Sequence, residues 1–215
     1  ELHSLGLQPD FIVGRAEKQI DAKRKSKIAL ASGVTIENII SNPDMDNVYE
    51  IPVVLESQSL ATKIAKKLGL KTKKADLASW KKMLHASKNA TKSINIAMVG
   101  KYQKTGDYTL EDSYVSVVEA LKHAGWLFGV KPQIFWIDSE MLEAKDSEEL
   151  DQIFSKVDGI IVPQGWGVRG VEGKIKAAKY ARENKVPYLG LCFGMQMATI
   201  EFGRNIVGLM GANTT

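Results

Sequence analysis

The chain is poor in residues that staple, ligate or anchor. It has a single cysteine, Cys192, so no internal disulfide can form, and that scarcity suits a reducing compartment such as the cytoplasm. Its three histidines, His3, His85 and His123, are too scattered to suggest a metal-ligand cluster. No G-x-x-x-x-G-K-[S/T] phosphate loop occurs. The longest apolar stretches, 94–100 and 159–163, are strand-sized, far short of the ~18–20 residues that cross a bilayer. No membrane association is expected. The net charge of +4 over 215 residues is too mild to argue for nucleic acid. With 44% hydrophobic and 25% charged residues, the composition is that of an ordinary globular protein.

What is present is unevenly arranged. Residues 1–92 carry 16 Lys/Arg against 10 Asp/Glu, whereas 93–215 carry 13 against 15. The basic half reads as solvated helix faces that could also meet phosphates. It begins at Glu1, with neither Met nor a signal-peptide pattern, and the chain stops just after an apparent helix. This reads as an interior piece of a longer protein.

In the first half the patterning predicts strands at 11–15 and 38–41, and helices at 21–31, 57–68 and 75–86. Residues 87–93 are polar and aperiodic, and read as a linker between domains 1–86 and 94–215. The second half alternates. Strands are expected at 94–99, 133–137, 159–162 and 188–191, with helices at 113–123, 147–154, 171–183 and 193–202. Four strand–helix repeats with apolar, doubly covered strands predict an α/β fold with a doubly wound parallel sheet. Ligands of such sheets sit beyond the carboxyl ends of the strands, here 100–112, 163–170 and Cys192.

The sharpest local signal is Gly190-Leu191-Cys192-Phe193-Gly194, where a strand runs into a helix. This is the thiol form of a nucleophile elbow, with small residues needed on both sides of the tight turn. The following helix aims its positive end at the sulfur, and the Phe193 amide can stabilise an oxyanion. The plain alternative is a small buried hydrophobe. The glycine-rich loop Pro163-Gln164-Gly165-Trp166-Gly167-Val168-Arg169-Gly170 should lie at the same sheet edge, where a Gly165 amide could complete the hole and Trp166 could wall a pocket. A cysteine nucleophile needs a base, and none of the three histidines is a persuasive one.

These residues resemble a class I glutamine amidotransferase, and the rest of the chain narrows the resemblance to the CTP synthase family. The stretch Glu1-Leu2-His3-Ser4-Leu5-Gly6-Leu7-Gln8-Pro9-Asp10 is similar to part of that family's synthetase domain. So are Lys27-Ile28-Ala29-Leu30 and Val48-Tyr49-Glu50-Ile51-Pro52. Val99-Gly100-Lys101-Tyr102, Asp112-Ser113-Tyr114-Val115-Ser116-Val117 and Arg169-Gly170-Val171-Glu172-Gly173-Lys174 match in order too.

The resemblance implies amination of UTP to CTP with ATP·Mg2+, using ammonia from glutamine. GTP would be the allosteric activator, CTP the inhibitor, and the assembly a homotetramer. Residues 1–86 would end the synthetase domain, and 94–215 would form the N-terminal part of the amidotransferase domain. Cys192 would be the nucleophile, Gly165 and Phe193 the oxyanion donors, and Phe193, Gly194, Met195 and Gln196 the glutamine pocket. Lys101, Tyr102, Arg169, Gly170 and Glu172 would belong to the GTP-linked lid. Lys27 would meet UTP or CTP, and Arg15, Pro43, Asp44 and Met45 the ATP adenine. Metal ligands and the phosphate loop are expected before Glu1, and the His and Glu partners of the thiol after Thr215.

The departures are Gln164, whose Cβ replaces a glycine and predicts strain, and Trp166 in place of Phe. Ala31-Ser32-Gly33-Val34 also replaces a bulkier run, and the loop 103–111 is long. The alternatives are an amidotransferase serving another acceptor, a cysteine-elbow hydrolase, or a non-catalytic relative.

Overall fold

The computed structural model describes residues 2–73, 75–101, 104–105, 108–109 and 111–214. They form two compact units, Glu1–His85 and Ala86–Thr215.

The first unit is built on a parallel pair, β1 (Ile12–Ala16) and β2 (Ile39–Pro43), in register from Ile12 opposite Ile39 to Ala16 opposite Pro43. Helix α1 (Ala22–Ser32) connects them. Its orphan amides are met by Asp21, which accepts from the Arg24 amide, and it stops at Gly33 in the left-handed region with φ 69°. The glycine in the departure 31–34 is therefore a helix terminator.

The helix expected over 57–68 is α3 (Leu60–Lys67), and an unforeseen helix, α2 (Ile51–Ser57), precedes it. Ser59 at φ 57° breaks them. Gln58 in the break grips β2 with its carboxamide, accepting from the Ser41 amide at 2.9 Å and donating to the Ser41 carbonyl at 2.8 Å. A side chain thus serves as a neighbouring strand would.

Helix α4 (Ala78–Asn89) carries the division between the units. The segment 87–93 is not an irregular linker. Its first three residues are the last turn of α4, and its last two begin β3 (Lys92–Gly100). Ser87 and Ala90 are buried, so the polarity that suggested a linker belongs to the exposed side of an ordered segment.

The second unit is a four-stranded parallel sheet in the order β6-β3-β7-β8. A two-residue hairpin, β4 (Lys104–Thr105) with β5 (Tyr108–Thr109), lies between β3 and α5 (Val115–Leu127) in sequence. The chain continues through β6 (Val130–Asp138), α6 (Ser139–Glu143), α7 (Ser147–Phe154), β7 (Gly159–Val162), α8 (Val171–Glu183), β8 (Tyr188–Gly190) and α9 (Phe193–Phe202). Short α6 was not foreseen. Strand β7 is buried throughout and β3 over its second half, as a doubly wound sheet requires. β6 differs from that expectation, because as an edge strand it exposes Phe135 and Trp136. The core joins Ala97, Val99, Ile160 and Val162 to Leu150, Phe154, Ala177 and Tyr180. Chain order places β6 on one side of β3 and β7 on the other, so the segments leaving β3 and β7 diverge. That is the crevice where such sheets hold ligands.

Candidate active site

The elbow is a consequence of packing. Leu191 donates its amide to the Val162 carbonyl at 2.9 Å, which carries β8 alongside β7 to its last residue. Cys192 then turns the chain at φ 54°, ψ −108°, a conformation L-residues rarely adopt, and becomes the N-cap of α9. Strain of this kind costs ~1–3 kcal/mol and persists only where the surroundings enforce it. They do so here. A Cβ on Gly194 would stand 1.8 Å from the Val162 carbonyl oxygen, and one on Gly190 would stand 2.5 Å from the backbone of Gly194 and Met195. The Tyr188 hydroxyl donates to the Gly194 carbonyl at 2.8 Å, and burial pushes its phenol well above the ordinary range. The Cys192 side chain remains exposed at the rim.

Two backbone donors are left over. In the first turn of α9, Gly194 donates to Leu191 and Met195 to Cys192. The Phe193 amide has no acceptor among the described residues, nor has the amide of buried Gly165. Buried N–H groups without acceptors are rare in folded proteins, and they are what an oxyanion site presents.

The loop 163–170 reaches the elbow through Trp166. Its ring, 61% exposed, lies 5.3 Å from the Phe193 ring centroid at 42°. The carbonyls of this loop are held from within. Tyr114 donates to Gln164 at 3.3 Å and Lys174 to Gly165 at 3.4 Å. Lys101 donates to Trp166 and, at 3.4 Å, to Gly167. Lys174, wholly buried, also sits 5.3 Å from the Phe193 ring centroid. Burial first, and then the neighbouring Lys101 charge, bring its ammonium down to about 8. Lys101 is lowered as well, by burial and then by Arg169, with Glu140 opposing. Arg169 bridges outward, donating to the Lys101 carbonyl at 3.2 Å and pairing with Glu140 at 3.0 Å.

Other expected residues distribute as follows. Phe193 packs with Val171, Ile175, Met197 and Ile200, so its side chain is core and only its backbone amide is left to serve the site. Gly194 is buried, Met195 exposed and Gln196 half-buried. Gly170 caps α8 at φ 72°, and Glu172 is paired with Arg204 at 2.9 Å. Gln164 is not strained. The left-handed non-glycine positions among the described residues are Ser59, Lys185 and Cys192, while the loop's positive φ angles fall on Gly165, Gly167 and Gly170. Tyr102 and part of the loop 103–111 lie outside the described residues.

In the first unit, Arg15 pairs with Asp44 at 2.8 Å, and the Asp44 amide donates to Ala16 at 2.9 Å. The strand ends thereby gather Arg15, Pro43 and Asp44, with half-buried Met45 next in the chain. Lys27 stands exposed on α1, between β1 and β2 in the chain, with no hydrogen bond or ion pair to this cluster among the described residues. His3 and His85 belong to the first unit, and His123 on α5 lies against Trp126. Among the described residues no group of three or more His, Cys, Asp or Glu could hold a metal ion.

Sequence reasoning gave no role to Tyr114 or Lys174, although both fall in stretches already quoted. A lysine and a tyrosine become site components only when their burial is known.

The doubly wound sheet and strained thiol elbow define a class I glutamine amidotransferase domain, and residues 109–214 match the family described as "Glutamine amidotransferase class-I". Residues 1–70 match "CTP synthase N-terminus". Over its full length the chain is 48% identical to the CTP synthase of Saccharolobus solfataricus and 46% identical to that of Thermococcus gammatolerans, covering 39% of each. A solved Trypanosoma brucei CTPS glutaminase domain with bound acivicin is 43% identical, with a TM-score of 0.48. The match covers 54% of this chain and 42% of that one. The chain belongs to the CTP synthase family, and it spans about 39% of the length of these curated relatives.

Proposed function

We propose that this chain serves, within a whole CTP synthase, the ATP-dependent amination of UTP with ammonia released from glutamine. The Cys192 sulfur adds to the glutamine side-chain carbonyl carbon, and the carbonyl oxygen takes up the electron pair. The amides of Phe193 and Gly165 receive that oxyanion. When the carbonyl re-forms, the C–N bond breaks and the nitrogen leaves as ammonia, carrying the proton that a general base took from the thiol. Water then hydrolyses the thioester to glutamate. In the synthetase half ATP phosphorylates the uracil 4-oxygen, and ammonia displaces phosphate. Mg2+ bound with ATP would neutralise phosphate charge there.

Arg15, Pro43, Asp44 and Met45 serve the adenine of ATP, Lys27 the triphosphate of UTP or CTP, and Lys101, Arg169, Gly170 and Glu172 the lid through which GTP activates. The working assembly is a homotetramer in the cytoplasm. The observation that carries this reading is an exposed thiol on enforced backbone strain, followed in the chain by the Phe193 amide without an acceptor among the described residues, with a second such amide at Gly165 in the loop whose Trp166 packs on Phe193. The match over residues 1–70 favours it over an amidotransferase serving another acceptor.

In the whole enzyme Cys192→Ala abolishes glutamine-dependent CTP formation and spares formation from added ammonia. Loss of both activities would contradict separate sites for ammonia release and amination.

A further inference from the structure

Gly165 is the loop's conformational weak point. It has no Cβ and a φ of 154°, so the flanking peptide planes are free to rotate unless held. The peptide between Gln164 and Gly165 carries the proposed oxyanion donor. In a trans peptide the carbonyl and the N–H point in opposite directions, so whatever fixes the Gln164 carbonyl also aims the Gly165 N–H. The group on that carbonyl is the Tyr114 hydroxyl, at 3.3 Å.

That hydroxyl is itself oriented. It accepts from the Lys101 amide at 3.3 Å, which turns its own proton toward Gln164. The ring is 1% exposed and cannot swing away. It stacks on Trp136 at 6.4 Å, and the missing side chain of Gly100 makes its space, since a Cβ there would stand 2.7 Å from a ring carbon. The next carbonyl along, that of Gly165, is held by Lys174.

We propose that Tyr114 is a positioning residue for glutamine hydrolysis, its hydroxyl locking the peptide that presents the Gly165 N–H to the oxyanion. It joins the end of β3 and the start of α5 to the loop after β7, so a disturbance at either element reaches the oxyanion site through one oxygen atom. This inference rests on the proposed role of the Gly165 amide.

The test is Tyr114→Phe in the whole enzyme, which keeps the ring and removes the oxygen. Deleting an oxyanion donor outright lowers kcat by ~10²–10³, and releasing its peptide should lower glutaminase kcat by roughly 10-fold or more on the same scale. The KM for glutamine should stay within about twofold, because the ground-state carbonyl gains little from the hole. Glutamate γ-semialdehyde, whose thiol adduct places an oxyanion in the same hole, should lose affinity by the same factor as kcat. A kcat within twofold of the parent, or a kcat loss with unchanged aldehyde affinity, overturns the proposal. A crystal structure of Tyr114→Phe adds a readout independent of turnover. A displaced 164–165 peptide supports the positioning role, and an unmoved one refutes it. A parent enzyme whose Cys192 is not acylated by glutamine would instead sink the functional reading, leaving the peptide geometry to be judged on that crystal structure.

Discussion

Replacing Lys174 by methionine removes a buried charge and keeps much of the side chain's length. Folding brings this ammonium from an ordinary 10.5 down to about 8, chiefly through burial and then through Lys101. Between those values the unfolded chain holds a proton that the folded chain has released. Stability therefore rises with pH across this window, and the contribution is lost as pH falls through 8. At 1.36 kcal/mol per pKa unit the full effect is roughly 3 kcal/mol, of which about 2.5 kcal/mol is realised by pH 10. Lys101 shifts in the same direction. Tyr180, raised to about 12 by burial and by its hydrogen bond to Asp151, and Tyr188, raised by burial, act with the opposite sign only above pH 10. The measurement is urea unfolding of whole enzyme and of Lys174→Met between pH 7 and 10, following the transition of the amidotransferase unit. The parent should gain stability relative to the variant by about 2.5 kcal/mol over that range. Parallel pH profiles would mean that the Lys174 ammonium titrates in the folded state as it does in the unfolded chain, and the electrostatic account of the loop would fail.

Two further outcomes separate steric from electrostatic contributions. Gly194→Ala drives a methyl into the Val162 carbonyl at 1.8 Å, and the backbone of the elbow must move to admit it. A loss of at least ~3 kcal/mol is expected, read as a fall in the unfolding midpoint together with loss of Cys192 labelling by a glutamine-like electrophile. A variant with the parent's midpoint and labelling rate would show that the elbow is looser than described. By contrast, Glu172→Ala removes from the ion pair with Arg204 a carboxylate that is 54% exposed, leaving Arg204 bonded to the Ala212 carbonyl, and should cost under ~1 kcal/mol in the same assay.

Much of the second unit was legible because local chemistry and tertiary need coincide there. The apolar runs of β3 and β7, the strand–helix alternation and the helices at 147–154, 171–183 and 193–202 announce themselves by pattern and period. The elbow was legible for a steric reason, since a glycine on each side of one cysteine at a strand-to-helix junction has few other uses. Less was legible where a short-range signal competed with a long-range one. Apolar spacing from Leu60 to Leu68 marks α3 but not where it starts, and the left-handed break at Ser59 appears only with Gln58 bonded to β2. Five-residue α6 is below the reach of periodicity. The polar run after residue 86 looked like a tether until hydrogen bonding continued α4 to Asn89.

Sequence by itself determined the doubly wound sheet, the thiol at its rim and the family, because hydrophobic period, turn sterics and ordered motifs are all written along the chain. Tertiary structure alone decided what surrounds that thiol. Lys101, Tyr114 and Lys174 lie in three separate segments; Tyr114 and Lys174 would read as solvated or merely packed from their neighbours in sequence, and Lys101 is placed only through the family resemblance. They converge on four successive loop carbonyls only because β3 and β7 are adjacent in space though distant along the chain. Burial then makes those contacts consequential, since a charge or hydroxyl removed from water must find its partner within the protein.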